Sequence, residues 1–196
     1  VTYCLYGSKR HMMSDIFNNP SKPFYRFGDI MMLPKIASDK WIEFIVKGFE
    51  RTGKTIDEAT AEKIPVLMKN HSWYVQQLAH YTWNLTTKKA GLTELNQALS
   101  ELIYANSPLY QREIEIISHT QLNLLKAISK GETKFTSTAT MNIYALGTPR
   151  NVSKNKTILV NNDTIHDVDG VYEFLDPAFE LWFNKQFFNQ SYLINE

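Results

Sequence analysis

The chain has 196 residues, of which 43% are hydrophobic and 21% charged, with a formal net charge of +1. This is ordinary globular usage with room for one large domain or two small ones, and it excludes disordered and fibrous classes. The charge balance argues against a globally basic nucleic-acid binder but leaves local patches open.

Cys4 stands alone, so no internal disulfide or cysteine metal cluster can form, which fits a cytoplasmic protein. No apolar run approaches the roughly 20 residues that span a bilayer, so no membrane partner is expected. The five histidines show no metal-ligand spacing of the H-x-x-x-H kind.

Val1–Tyr6 is β-branched and aromatic and ends at Gly7-Ser8, which predicts a short buried strand and a turn. Because the sequence opens on a strand and not on Met, further sequence upstream is expected. His11–Phe17 reads as a short helix closed by Asn18-Asn19-Pro20, and Phe24–Leu33 as a second strand before Pro34. Strand, helix, strand implies a small α/β layer, and two strands need more partners than this segment supplies.

A run of helices follows. Asp39 is a candidate N-cap for a helix burying Trp41, Phe44, Ile45 and Phe49. A second helix starts at Ile56-Asp57 with Ile64, Leu67 and Met68 inward, and a third covers Ser72–Trp83. Thr86–Gly91 is polar, basic and closed by glycine, a linker candidate. Leu92–Tyr104 is helical, with Leu95, Leu99, Leu102 and Ile103 on one face.

The remainder has a more specific order. Thr120 caps a helix to Lys130, with Leu122, Leu125 and Ile128 buried and Gly131 as its stop. Ser137 opens a short helix, and Thr148-Pro149 opens a third that reaches about Asn162. Asp169-Gly170 between Ile165–Val168 and Val171–Leu175 predicts a hairpin, and Asp176-Pro177 caps a last helix. Three helices and a hairpin are the winged helix-turn-helix order.

Gly48–Thr55 matches the P-loop pattern G-x-x-x-x-G-K-[ST] letter for letter. A phosphate loop follows a buried strand and opens a helix, whereas the residues before Gly48 have helical spacing. Phe49, Glu50 and Arg51 are also bulky or charged where a loop must wrap closely. The match is read as accidental, with Gly53 ending a helix and Lys54 solvated. A small P-loop NTPase using Lys54 is the alternative.

Three segments in this order resemble the archaeal ATPase family of AAA+/STAND-type ATPases. Tyr3–Ser8 resembles its sensor-1 strand. Pro23-Phe24-Tyr25-Arg26 with Ile30–Leu33 resembles its Pro-Leu-Tyr-Gly-Arg segment and last core strand. Asp176-Pro177-Ala178-Phe179 with Trp182 resembles the Asp-Pro-x-Phe-x-x-Trp ending of its winged helix. The lid differs, reading Asn70-His71-Ser72-Trp73 where the family carries a Gly-x-Pro-like turn.

The resemblance implies a mainly α chain with small α/β and β parts. Residues 1–38 would be the remnant of a P-loop ATPase core, 39–88 a helical lid bundle and 89–196 the C-terminal winged helix-turn-helix domain. The Walker segments would lie upstream, and ATP and Mg2+ would belong to the full-length parent and not to this chain alone. Its partners would be that N-terminal ATPase core and a protein or DNA bound through the winged helix.

Site residues follow from the same resemblance. Ser8 would contact the γ-phosphate or orient the attacking water. Arg26 would stabilise charge on a transferred phosphoryl group. His71, at a helix start, would reach a phosphate from the lid, or serve as a cap or packed side chain. Arg150, Asn151, Ser153, Lys154 and Lys156 lie on the candidate recognition helix, where DNA contacts form. Against DNA, residues 109–196 hold eight basic and ten acidic side chains, a net of −2, and the hairpin tip carries Asp167 and Asp169.

Overall fold

A computed structural model describes residues 3–7, 10–168 and 170–194. It divides into two units, residues 1–34 and residues 35–196.

In the first unit, helix α1 spans Arg10–Asn18. Asn19 ends it by turning its amide onto Asp15 at 2.7 Å, and Lys22 pairs with the same carboxylate at 3.1 Å. The Arg26 N–H then donates to the Phe17 carbonyl at 2.9 Å and folds the following turn back on the helix. The two expected strands are not formed among the described residues of this unit. Tyr3–Gly7 and residues 29–34 carry no ladder, because no strand lies beside them to satisfy their backbone groups.

The second unit is where the helical spacing finds partners. Helix α2 (Ser38–Glu50) buries Trp41, Ile45 and Phe49, one residue per turn. Its N-cap is Ala37, so Asp39 sits in the first turn, favourably placed for the helix dipole, instead of capping. Phe44, expected inward, is 56% exposed and only leans edge-on against Trp41. Strand β1 (Thr55–Ile56) precedes helix α3 (Glu58–Leu67), so the helix starts two residues later than expected. Asp57 caps α3 by accepting the Thr60 N–H at 2.8 Å.

Helix α4 (Ser72–Leu85) buries Val75, Leu78, Ala79 and Thr82. Strand β2 (Lys89–Ala90) follows and pairs in parallel with β1, Thr55 opposite Lys89 and Ile56 opposite Ala90. Thr86–Gly91 is therefore no free linker. Thr86 and Ala90 are buried, and the backbone is stitched to the turn after α2. Helix α5 runs over 25 residues, Leu92–Ile116, well past the expected end at Tyr104. It continues through Pro108 because both its halves have a helix to pack on, first α4 and then the last helix of the chain.

Ser118, not Thr120, caps helix α6 (His119–Ser129), in a reciprocal capping box with Gln121. Leu124, Leu125 and Ile128 form its buried stripe, and Leu122 is half-buried. Helix α7 (Thr138–Ile143) and helix α8 (Pro149–Asn161) carry the expected caps, Ser137 and Thr148. Strands β3 (Ile165–Val168) and β4 (Val171–Phe174) form an antiparallel hairpin, with Gly170 at φ +87°, where a side chain would be strained. Helix α9 (Pro177–Phe188) buries Phe179, Trp182 and Phe183, and each such burial stabilises the fold by about 1.5–3 kcal/mol. After α9, both backbone groups of Ile194 bond the Asn96 amide on α5 at 2.9 Å.

Candidate functional site

The P-loop match is geometrically the reverse of a phosphate loop. Helix α2 runs into it, Gly53 turns the chain at φ +74°, and a strand follows instead of a helix. Lys54 is not solvated. Its ammonium donates to the Trp83 carbonyl at 2.7 Å and lies 4.1 Å above the Trp83 ring, while the Trp83 indole N–H donates to Thr52 Oγ1 at 2.8 Å. These residues do not fit ATP with Mg2+, since the lysine is engaged and no helix N-terminus faces a phosphate. Among the described residues, no group of three or more His, Cys, Asp or Glu could hold a metal ion.

The other resemblance-derived residues do not converge. Ser8 lies outside the described residues. Arg26 is exposed at φ +54°, with its guanidinium 5.1 Å over the Tyr25 ring. His71 is the N-cap of α4 but makes no side-chain capping bond. Its Nδ1 is buried without a hydrogen-bond partner among the described residues, and its ring lies 5.1 Å from Tyr74.

His71 instead belongs to a polar junction. The α3–α4 loop places Lys69 and Asn70 in successive left-handed conformations, φ +46° and +56°. Lys69 Nζ lies 2.6 Å from Glu180 Oε2 on α9, close but without hydrogen-bond alignment. The Tyr74 hydroxyl on α4 donates to Asp176, whose other oxygen accepts the Ala178 and Phe179 N–H groups and caps α9. Tyr110 on α5 reaches the Tyr74 hydroxyl at 3.5 Å and packs its ring on Phe179 and Trp182.

The charge states follow from burial. Burial holds the His71 imidazolium below its ordinary range against the pull of Asp176. Glu113 is exposed, and partial desolvation, with Asp176 adding to it, raises its carboxyl. Both tyrosine phenols are pushed up, first by burial, so they stay protonated and available as donors. The junction thus joins α4, α5 and α9 through hydrogen bonds and one ion pair. The sequence marks His71 at a helix start and Asp176 as a cap, but not their meeting. Tyr74 and Asp176 are 102 residues apart, and only the need of a buried tyrosine hydroxyl for a partner hints at the pair.

The helix α8 surface is the second candidate. Arg150, Asn151, Ser153 and Lys154 are exposed along its N-terminal turns, on the side away from the buried Val152, Asn155 and Leu159. Lys156 turns elsewhere, its ammonium 4.5 Å from the ring of Tyr172, which pairs with Asp167 near the hairpin tip. An open cleft of about 400 Å³ lies between α8 and the hairpin, lined by Ser153, Lys156, Thr157, Asn161, Asp167 and Tyr172. The hairpin side is acidic. Asp167 is exposed and binds the Gly170 N–H at 2.8 Å, and Glu173 lies 3.6 Å from His166. Asp169 falls outside the described residues.

Helices α6 to α8, the β3–β4 hairpin and α9 are what the comparisons bear on. Residues 108–185 match a family described as a probable winged helix domain. This module is a winged helix. The whole fold is similar to a Walker-type ATPase of Pyrococcus abyssi, with a TM-score of 0.66 at 17% identity over 91% of this chain. The chain spans 51% of the length of that ATPase chain. A search of curated proteins found no match. At that identity the likeness concerns the fold. It places a winged helix behind a helical bundle in an arrangement that a Walker-type ATPase also has. No helix among the described residues is long and apolar enough to cross a membrane.

Proposed function

We propose that this chain is the regulatory part of an AAA+/STAND-type ATPase of the archaeal family. In this reading, helices α2–α4 form the lid and the winged helix reports its state to a protein or DNA partner. The observation that carries the reading is the junction between the α3–α4 loop and the N-terminus of α9. The loop that would face nucleotide is tied to the winged helix by Lys69–Glu180 and Tyr74–Asp176. A change at the loop therefore disturbs the cap of α9 directly. The P-loop half, with ATP and Mg2+, is supplied by sequence outside this chain, and Ser8 and Arg26 assist it at most.

The test compares this chain with one extended upstream in the same reading frame. The 196-residue chain is expected to show no ATP hydrolysis. The extended chain binds ATP, and Asp176→Asn weakens the dependence of winged-helix protection on nucleotide, read by hydrogen exchange. Absence of a P-loop strand upstream, or ATP binding by this chain that Lys54→Ala abolishes, overturns the reading. A second reading, DNA binding without nucleotide, is favoured by the exposed Arg150, Asn151, Ser153 and Lys154 and opposed by the acidic hairpin. Duplex binding by this chain without nucleotide, lost on charge reversal at Arg150 and Lys154, supports the second, whereas a chain that binds no duplex while the extended one binds ATP supports the first.

A further inference from the structure

From Lys63 to Thr93 the sequence contains no acidic residue, while Lys63, Lys69, Lys88 and Lys89 are all present. The stretch includes all of α4, and α4 is unusual in what it exposes. Trp73, Gln76, His80 and Asn84 recur at intervals of three and four, which puts them on one side of the helix, and all four are exposed. Trp73 is 61% accessible. A solvated helix face ordinarily carries charges of both signs, whereas this one offers an indole, an imidazole and two amides.

The C-terminal end of this face meets a cluster of cations. The β1–β2 pairing brings the exposed Lys88 and Lys89 beside the turn that carries Arg51 and Lys54. Here the rings are also arranged. His80 stacks on Trp83 with centroids 5.8 Å apart and planes 18° from parallel, and its Nε2 lies 3.2 Å from the Asn84 amide. Lys54 lies 4.1 Å from the same indole. Of the acids nearby, Asp57 accepts the Thr60 N–H as the cap of α3 and also feels the charge of Lys89, while Glu50 and Glu58 are exposed.

We infer that the exposed face of α4, with the β1–β2 link at its end, binds single-stranded nucleic acid. Cations beside aromatic platforms suit a strand whose phosphates can be neutralised while its bases stack. A duplex hides its base faces and would use only the lysines, so the aromatic half of the surface selects unpaired bases. This surface is separate from the α8 face, and the inference does not depend on the nucleotide reading.

Fluorescence anisotropy of the 196-residue chain with a labelled oligothymidylate, and with the same strand annealed to its complement, tests it. Expected are tighter binding of the single strand and a log–log salt slope that falls by about 1.4 in the Lys88→Ala/Lys89→Ala variant. Trp73→Ala/His80→Ala weakens binding by about tenfold or more with the slope unchanged. Lys88→Arg/Lys89→Arg retains binding, and circular dichroism confirms that each variant is folded. No binding at low salt, preference for the duplex, or loss of binding only with Arg150→Ala/Lys154→Ala would each overturn the inference, the first pointing to an acidic protein instead.

Discussion

Residues 3–34 and residues 35–196 both carry apolar side chains at structured spacing, yet they use them in opposite ways. In the larger unit, Leu78, Leu99, Phe179 and Phe183 are sealed between helices, with at most 1% of their surface exposed. In the smaller unit, Tyr6 is 93% and Met31 83% exposed, and an open apolar cavity of about 550 Å³ is lined by Leu5, Met13, Phe17 and Phe27 among others. Periodicity supplies an apolar face, but only a second layer turns that face into a core. The helices of the larger unit provide that layer for one another. The residues read as strands in the smaller unit have no ladder to join.

The sharpest way to break this contrast is Phe179→Ala. It removes a ring packed on Tyr110, Phe174, Trp182 and Phe183, and a loss of about 3–5 kcal/mol is expected in denaturant unfolding. Asp176→Ala comes next. It deletes the α9 cap and leaves the Tyr74 hydroxyl with only the long contact to Tyr110, for about 2 kcal/mol together. Lys54→Ala costs about 1 kcal/mol and shifts Trp83 fluorescence, because the lysine braces that ring.

A smaller effect lies in the pH dependence. Glu113 has a raised carboxyl pKa, so the folded state holds its proton more tightly than the unfolded chain. Its contribution is complete below the ordinary value of 4.5 and is lost as pH rises through the raised one. Glu113→Gln should therefore raise the Tm at neutral pH, with the gain shrinking as pH falls toward 4.5. His71 runs oppositely. Its contribution is present above the ordinary 6.5 and is lost as pH falls through its lowered value, so His71→Gln should flatten that acid-side decline. The smallest change belongs to the other unit, where Met31→Ser should stay within about 0.5 kcal/mol, against several for Phe179→Ala.

The winged helix was legible because its signals are local. Thr148-Pro149, Asp169-Gly170 and Asp176-Pro177 each specify a cap or turn within a few residues, and periodic leucines fill the space between. The misreadings share a physical reason, which is that tertiary partners decided the outcome. Thr86–Gly91 looks like a linker until β1 lies beside it, and α5 passes the expected end at Tyr104 because α9 covers its second half. The candidate site was less legible still. Lys54 was conspicuous in sequence but serves Trp83. Lys69, Tyr74, Glu113 and Asp176 meet only through the packing of α4, α5 and α9.

Helix α5 has a mechanical consequence. A rod of 25 residues is about 37 Å long, so tilting one end by about ten degrees sweeps the other through about 6 Å. Pro108 removes the backbone bond to Tyr104, which leaves a compliant joint between the portion seated on α4 and the portion carrying Tyr110. Replacing Pro108 with alanine stiffens that joint. The displacement passed from one end of α5 to the other is then expected to grow, and the angular play between its two halves to narrow.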